Sequence, residues 1–122
     1  MNKEESAQWK DDATDTYIQP MAQFLVNHVP DDFVKIELVA DFDTGAQGCS
    51  AVYFPPHGKR VAIKDFFTIS DELDTYLKSF HDEYVKHDEN WVAMLLTISP
   101  DGDFDIQFEY TDPYKWDDRW NT

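Results

Sequence analysis

The chain has 122 residues, 42% hydrophobic and 16% aromatic, enough to build one core without disulfides and too apolar a composition for a disordered segment. With 25 acidic against 10 basic residues its formal net charge is −15, which disfavours nucleic acid and anionic lipid as partners and favours basic proteins. Cys49 is the only cysteine, so an intrachain disulfide is excluded. No run approaches the ~20 apolar residues of a membrane span, and the opening Met1-Asn2-Lys3-Glu4-Glu5 lacks a signal peptide's apolar stretch. A cytoplasmic location is expected.

In chain order, residues 6–28 read as helix. Trp9, Ala13, Tyr17, Met21, Phe24, Leu25 and His28 recur at spacings of three and four and gather on one face. Pro20 interrupts this pattern and predicts a kink or restart there. Pro30-Asp31-Asp32 closes the segment. Val34, Ile36, Leu38 and Ala40 then alternate with Lys35, Glu37 and Val39, the period of a half-buried strand. Asp43-Thr44-Gly45 and Gly48 mark a turn, residues 49–54 a second strand, and Pro55-Pro56-His57-Gly58 another turn. Residues 60–66 give a third strand, so these three are expected to form an antiparallel meander.

A second helix is expected over 70–87, with Ser70 as N-cap, Asp71 and Glu72 in the first turn, and Leu73, Leu77, Phe80 and Tyr84 as the buried stripe. Asn90 is its expected terminator. Residues 91–98 form an apolar strand placed inside the sheet, and Ser99-Pro100-Asp101-Gly102 is a turn. In the return strand Phe104, Ile106, Phe108 and Tyr110 alternate with Asp103, Asp105, Gln107 and Glu109, predicting one packed face and one acidic, wet face. Residues 111–122 form a short aromatic and acidic tail. With no linker and no repeat, residues 1–122 are expected to form one α+β domain in the order α-β-β-β-α-β-β. A single antiparallel sheet should carry the helices packed on one face.

Catalytic patterns find no support. His81-Asp82-Glu83 and His87-Asp88-Glu89 resemble a repeated metal motif, but residues six apart on a helix point about 120° away from each other. Glu83 and His87 do face one another, yet a pair is short of the three or four ligands zinc requires. Asp101, Asp103 and Asp105 imitate the start of a calcium loop, but Gly102 stands second rather than sixth. Cys49 carries no nucleophile signature and reads as a small packed thiol. The glycines at 45, 48, 58 and 102 read as turn residues, not a phosphate cradle. The chain is therefore expected to be a binding protein, not an enzyme, without cofactor or metal.

What remains is an acidic surface with aromatic anchors. Asp103, Asp105 and Glu109 on one strand face, continued by Asp112, Asp117 and Asp118, with Trp116 and Trp120 among them, form the candidate partner-binding patch. The tail tryptophans equally suit a role as a cap on the core.

Several stretches are similar to the YezG-like (EsaG-like) family of bacterial antitoxins or immunity proteins. These are Val29-Pro30-Asp31-Asp32-Phe33 closing the first helix, the strand Val34-Lys35-Ile36-Glu37-Leu38-Val39-Ala40, and Ala51-Val52-Tyr53-Phe54. After the acidic helix the likeness is closest: Trp91, Leu95-Leu96-Thr97-Ile98, Asp101-Gly102, Phe104, Ile106, Phe108-Glu109-Tyr110 and Arg119-Trp120. The resemblance runs from about Tyr17 to Trp120 and departs at Pro20, at the compact Pro55–Gly58 turn and in a shorter tail. It implies a cofactor-free protein that neutralises a cognate polymorphic toxin, often a nuclease with a basic cleft, by direct contact. The alternative from composition alone is a non-catalytic adaptor or regulatory module recognising a basic protein.

Overall fold

The computed structural model describes residues 3–43 and 46–120. Its N-terminal segment is one long helical run with a change of pitch. Helix α1 (Lys3–Ala13) passes through a π-helical turn (Thr14–Ile18) into helix α2 (Gln19–Val26). The cause is Pro20. A proline cannot donate a backbone hydrogen bond, and its ring collides with the carbonyl four residues back. Here the residue before it, Gln19, donates to Thr14 O five residues back, so the turn is widened where the ring needs room. The expected interruption is thus a π turn just ahead of Pro20. Ala13, Ile18, Met21, Ala22 and Leu25 face the core.

Five strands follow: β1 (Lys35–Asp43), β2 (Ala46–Phe54), β3 (Val61–Ala62), β4 (Ala93–Ile98) and β5 (Phe104–Glu109). They pair antiparallel in the order β3-β2-β1-β4-β5, so β1 lies at the centre and the expected meander is its β1-β2-β3 half. The turn expected around Thr44-Gly45 lies outside the described residues. Gly48, expected in that turn, sits inside β2 opposite Asp41. Ile36, Leu38 and Ala40 of β1, with Met94, Leu96 and Ile98 of β4, pack beneath the helices. One sheet with helices on one face is the α+β architecture expected.

Helix α3 (Phe66–Lys86) begins earlier than expected and shortens β3 to two residues. Ser70 is not its N-cap; its hydroxyl donates to Phe67 O from within the helix. The chain turns instead at Asp65, whose φ of 59° is left-handed, and Thr68 N–H and Ile69 N–H donate to Asp65 O. The reason is burial: Ile63 and Ile69 both reach the core, and a strand continued through residue 66 would carry Ile69 away from it. The stripe Leu73, Leu77, Phe80 and Tyr84 is buried as expected. The helix ends at Lys86 with His87 as its cap, and the left-handed residue that turns the chain away is Asp88, with φ of 60°, rather than Asn90. There Asp88 N–H donates to Val85 O and Glu89 N–H to Tyr84 O, closing the free carbonyls of the last turn. Trp91, fully buried, then fills the space between α3 and β5, edge-on to Phe42 and tilted against Phe108.

Candidate functional site

The register of the strands defines a second sheet face, opposite the helices. Residues paired across an antiparallel ladder share a face. Lys35, Glu37 and Val39 of β1 therefore lie beside Phe54, Val52 and Ser50 of β2 and beside Leu95 and Thr97 of β4. Thr97 and Leu95 stand opposite Asp105 and Gln107 of β5, and Ala93 opposite Glu109. This is the face expected to be wet and acidic. It is wet only in part, because the tail doubles back across it.

Two carboxylates fix the tail. Glu109, at the end of β5, accepts hydrogen bonds from Tyr110 N–H (2.8 Å), Thr111 N–H (3.1 Å) and the Thr111 hydroxyl (3.3 Å), and faces Lys115 Nζ at 3.6 Å. The backbone hydrogen bonds to Thr111 and Tyr110 hold its carboxyl below the ordinary range. Asp112 then accepts from Tyr114 N–H at 2.9 Å, and successive tight turns carry the chain to Trp116 and Arg119. Trp116, expected at the partner-binding surface, is 8% exposed and packs on Val39, Ala93 and Leu95, with Trp120 against the same small cluster. Burial wins because those side chains would otherwise meet water on an uncovered sheet.

The second carboxylate is Glu37, only 2% exposed on the central strand. Arg119 grips it in a fork, Nε to Oε1 at 3.0 Å and an Nη to Oε2 at 2.7 Å, and Trp120 Nε1 donates to Oε1 at 2.9 Å. Lys35 Nζ lies 3.4 Å from Oε2. Desolvation pushes the Glu37 carboxyl up, but the hydrogen bonds from Arg119 and Trp120 and the charges of Arg119 and Lys35 outweigh it and hold it at about 2. The alternation along β1 puts Glu37 on the outward face, as expected, but nothing local in the sequence points to this lock. The contact spans 82 positions and exists only once the tail has returned. Arg119-Trp120 carried the only available signal, as an aromatic–basic pair at the end of an acidic tail.

The expected patch thus divides. Asp103, Asp105, Asp112, Asp117 and Asp118 are exposed, whereas Glu109 is half-buried in the tail's anchoring and Trp116 is core. Beside Asp103 and Asp105 runs a groove of about 260 Å³, walled by Lys35, Thr97, Ser99 and Phe104.

Elsewhere the titratable groups have structural work. His81 Nε2–H donates to Trp91 O at 2.8 Å with its ring stacked on Phe42, and desolvation lowers its pKa. His87 stacks on Trp9 at 3.9 Å, with Glu83 at 4.0 Å. Burial, with the Asp74 carboxylate beside it, pushes the Cys49 thiol up to about 12, far from nucleophile range. Among the described residues no three His, Cys, Asp or Glu side chains are placed to hold a metal ion. No described helix is long and apolar enough to cross a membrane.

In a comparison with protein families, residues 14–121 match the family described as immunity protein YezG-like. Comparison with curated proteins gives no match.

Proposed function

Because the chain belongs to the YezG-like immunity protein family, we propose that it binds one cognate toxin and neutralises it by direct contact through its acidic sheet face. The family match over nearly the whole chain carries this reading. The acidic field supports it further: a nuclease toxin handles a polyanion and so presents a basic cleft, and an excess of fifteen negative charges is drawn to such a cleft. Asp105 stands exposed on β5, an edge strand, and Asp103 stands exposed just before it, both beside a groove with an apolar wall. That groove suits the aliphatic stem of a partner lysine or arginine, with the carboxylates at its charged head. Asp112, Asp117 and Asp118 extend the surface, and Trp116 and Glu109 hold the tail that carries them.

In this reading the protein acts in the cytoplasm, as an inhibitor and not as an enzyme, without cofactor and without contact to nucleic acid or membrane. The test is co-expression with the product of the neighbouring gene. The chain is expected to rescue cells from that one toxin and from few others. A neighbouring product that is harmless without this chain would remove the immunity reading.

A further inference from the structure

Basic residues are scarce in this chain, ten in all, yet three of them meet. Lys35 at the start of β1, Arg60 before β3 and Arg119 of the tail line a cleft of about 340 Å³ with Glu37, Phe54 and Trp120. Glu37 is the only carboxylate among these residues. Both its oxygens are already engaged, Oε1 by Arg119 and Trp120 and Oε2 by Arg119 and Lys35. One carboxylate against three cations leaves the cleft positive. Arg60 is half-buried and makes no ion pair with any described residue, although acidic side chains outnumber basic ones in the sequence by more than two to one.

We propose that this cleft is a socket for a carboxylate side chain, an Asp or Glu of the protein partner. Arg60 and Lys35 would hold it, while Glu37 keeps Arg119 in place behind them. The inference rests on the immunity reading and adds to it the chemistry of recognition. A guanidinium fork matches a carboxylate in two parallel hydrogen bonds, and the rings of Phe54 and Trp120 flank the site and limit water. Lys35 also borders the groove beside Asp103 and Asp105, so the positive socket and the acidic groove are neighbours on one face. That adjacency gives specificity. An inhibitor that was acidic throughout its contact face would bind many basic proteins. One with a positive socket beside the acid repels a uniformly basic surface and accepts a partner that sets an acidic residue next to its basic ones. A phosphate of nucleic acid has the right charge for the socket, but the net charge of −15 opposes its approach.

The test is calorimetric titration of the full chain against the toxin it neutralises, comparing wild type with Arg60→Glu and Arg60→Gln. Arg60→Glu is expected to weaken binding at least about tenfold and Arg60→Gln by less, with the melting temperature unchanged because no internal ion pair is lost. A compensating Asp or Glu to Arg exchange on the toxin should restore Arg60→Glu. Arg60→Glu affinity within about twofold of wild type, in a chain that still neutralises its toxin, overturns the socket and leaves the immunity reading standing. If wild type neutralises no toxin, that reading fails, and the socket is judged by NMR of the Trp120 indole and Arg60 side chain. Shifts with N-acetylglutamate that vanish in Arg60→Gln support it. No shift, or Arg60-dependent shifts with a short oligonucleotide alone, overturns the carboxylate assignment.

Discussion

Glu37 shows how one buried charge can organise a surface. A carboxylate at 2% exposure is tolerated only when its lone pairs are satisfied, and Arg119, Trp120 and Lys35 together do this. Removing its charge strands a partly desolvated guanidinium, so Glu37→Gln is expected to destabilise the fold by about 2–3 kcal/mol, below the full cost of a wholly buried pair because Arg119 keeps some water. The pH dependence follows from the depressed carboxyl. Its folded pKa of about 2 lies below the ordinary 4.5, so its contribution is complete above about pH 4.5 and is lost as the pH falls toward 2. Urea melts of wild type and Glu37→Gln at pH 7 and pH 3 should therefore differ much less at the lower pH. An equal difference at both would mean that the ionised form of Glu37 contributes nothing.

At the scale of elements, the tail behaves as a strap over the open sheet face rather than as a free appendage. Its apolar anchor is Trp116 on Val39, Ala93 and Leu95; its polar anchors are Glu109 at one end and Glu37 at the other. Trp116→Ala removes the apolar one, at about 3 kcal/mol, the lower end for a buried aromatic because the cluster beneath it is small. Hydrogen exchange should show amides of residues 111–120 opening in this variant while β1 and β4 stay protected. Uniform loss of protection across the sheet would mean that the tail is inseparable from the main core. The strap also marks where the sequence stops being legible. Local periodicity marks β1, β2, β4 and β5, the stripe on α3 and the Ser99–Gly102 turn, because each is specified by neighbours a few residues apart, whereas β3 keeps only Val61 and Ala62 of the strand expected over 60–66. The start of α3 was hidden because Ser70-Asp71-Glu72 imitates a capped first turn, whereas the true start at Asp65 is set by Ile63 and Ile69 both needing the core. The fate of Trp116 was hidden more deeply. Nothing local separates a tryptophan that covers a sheet from one that waits for a partner, and the deciding residues, Val39 and Leu95, lie far away in sequence.

At the scale of the whole molecule, charge sets the terms on which a partner arrives. Most described lysines, and Arg119, are committed to internal ion pairs: Lys10 with Glu89, Lys78 with Asp82, Lys86 with Glu83, Lys115 with Glu109, and Lys35 and Arg119 with Glu37. The acidic excess therefore faces outward, and approach of a basic toxin should be steered by it. The Debye length falls from about 10 Å at 0.1 M salt to about 3 Å at 1 M, so the association rate measured by stopped flow should drop steeply over that range. Asp105, exposed on the outward face of β5, should contribute directly. Asp105→Ala is expected to lower the association rate and flatten its salt dependence, while stability moves by no more than about 0.5 kcal/mol because its carboxylate anchors nothing in the fold. Asp11→Ala, on α1 across the molecule, removes the same charge from the helical side and should change the rate little. Flat kinetics across the salt range would exclude steering. A rate that falls for Asp11→Ala and not for Asp105→Ala would put the contact on the helices and leave the strapped sheet face as a purely structural surface.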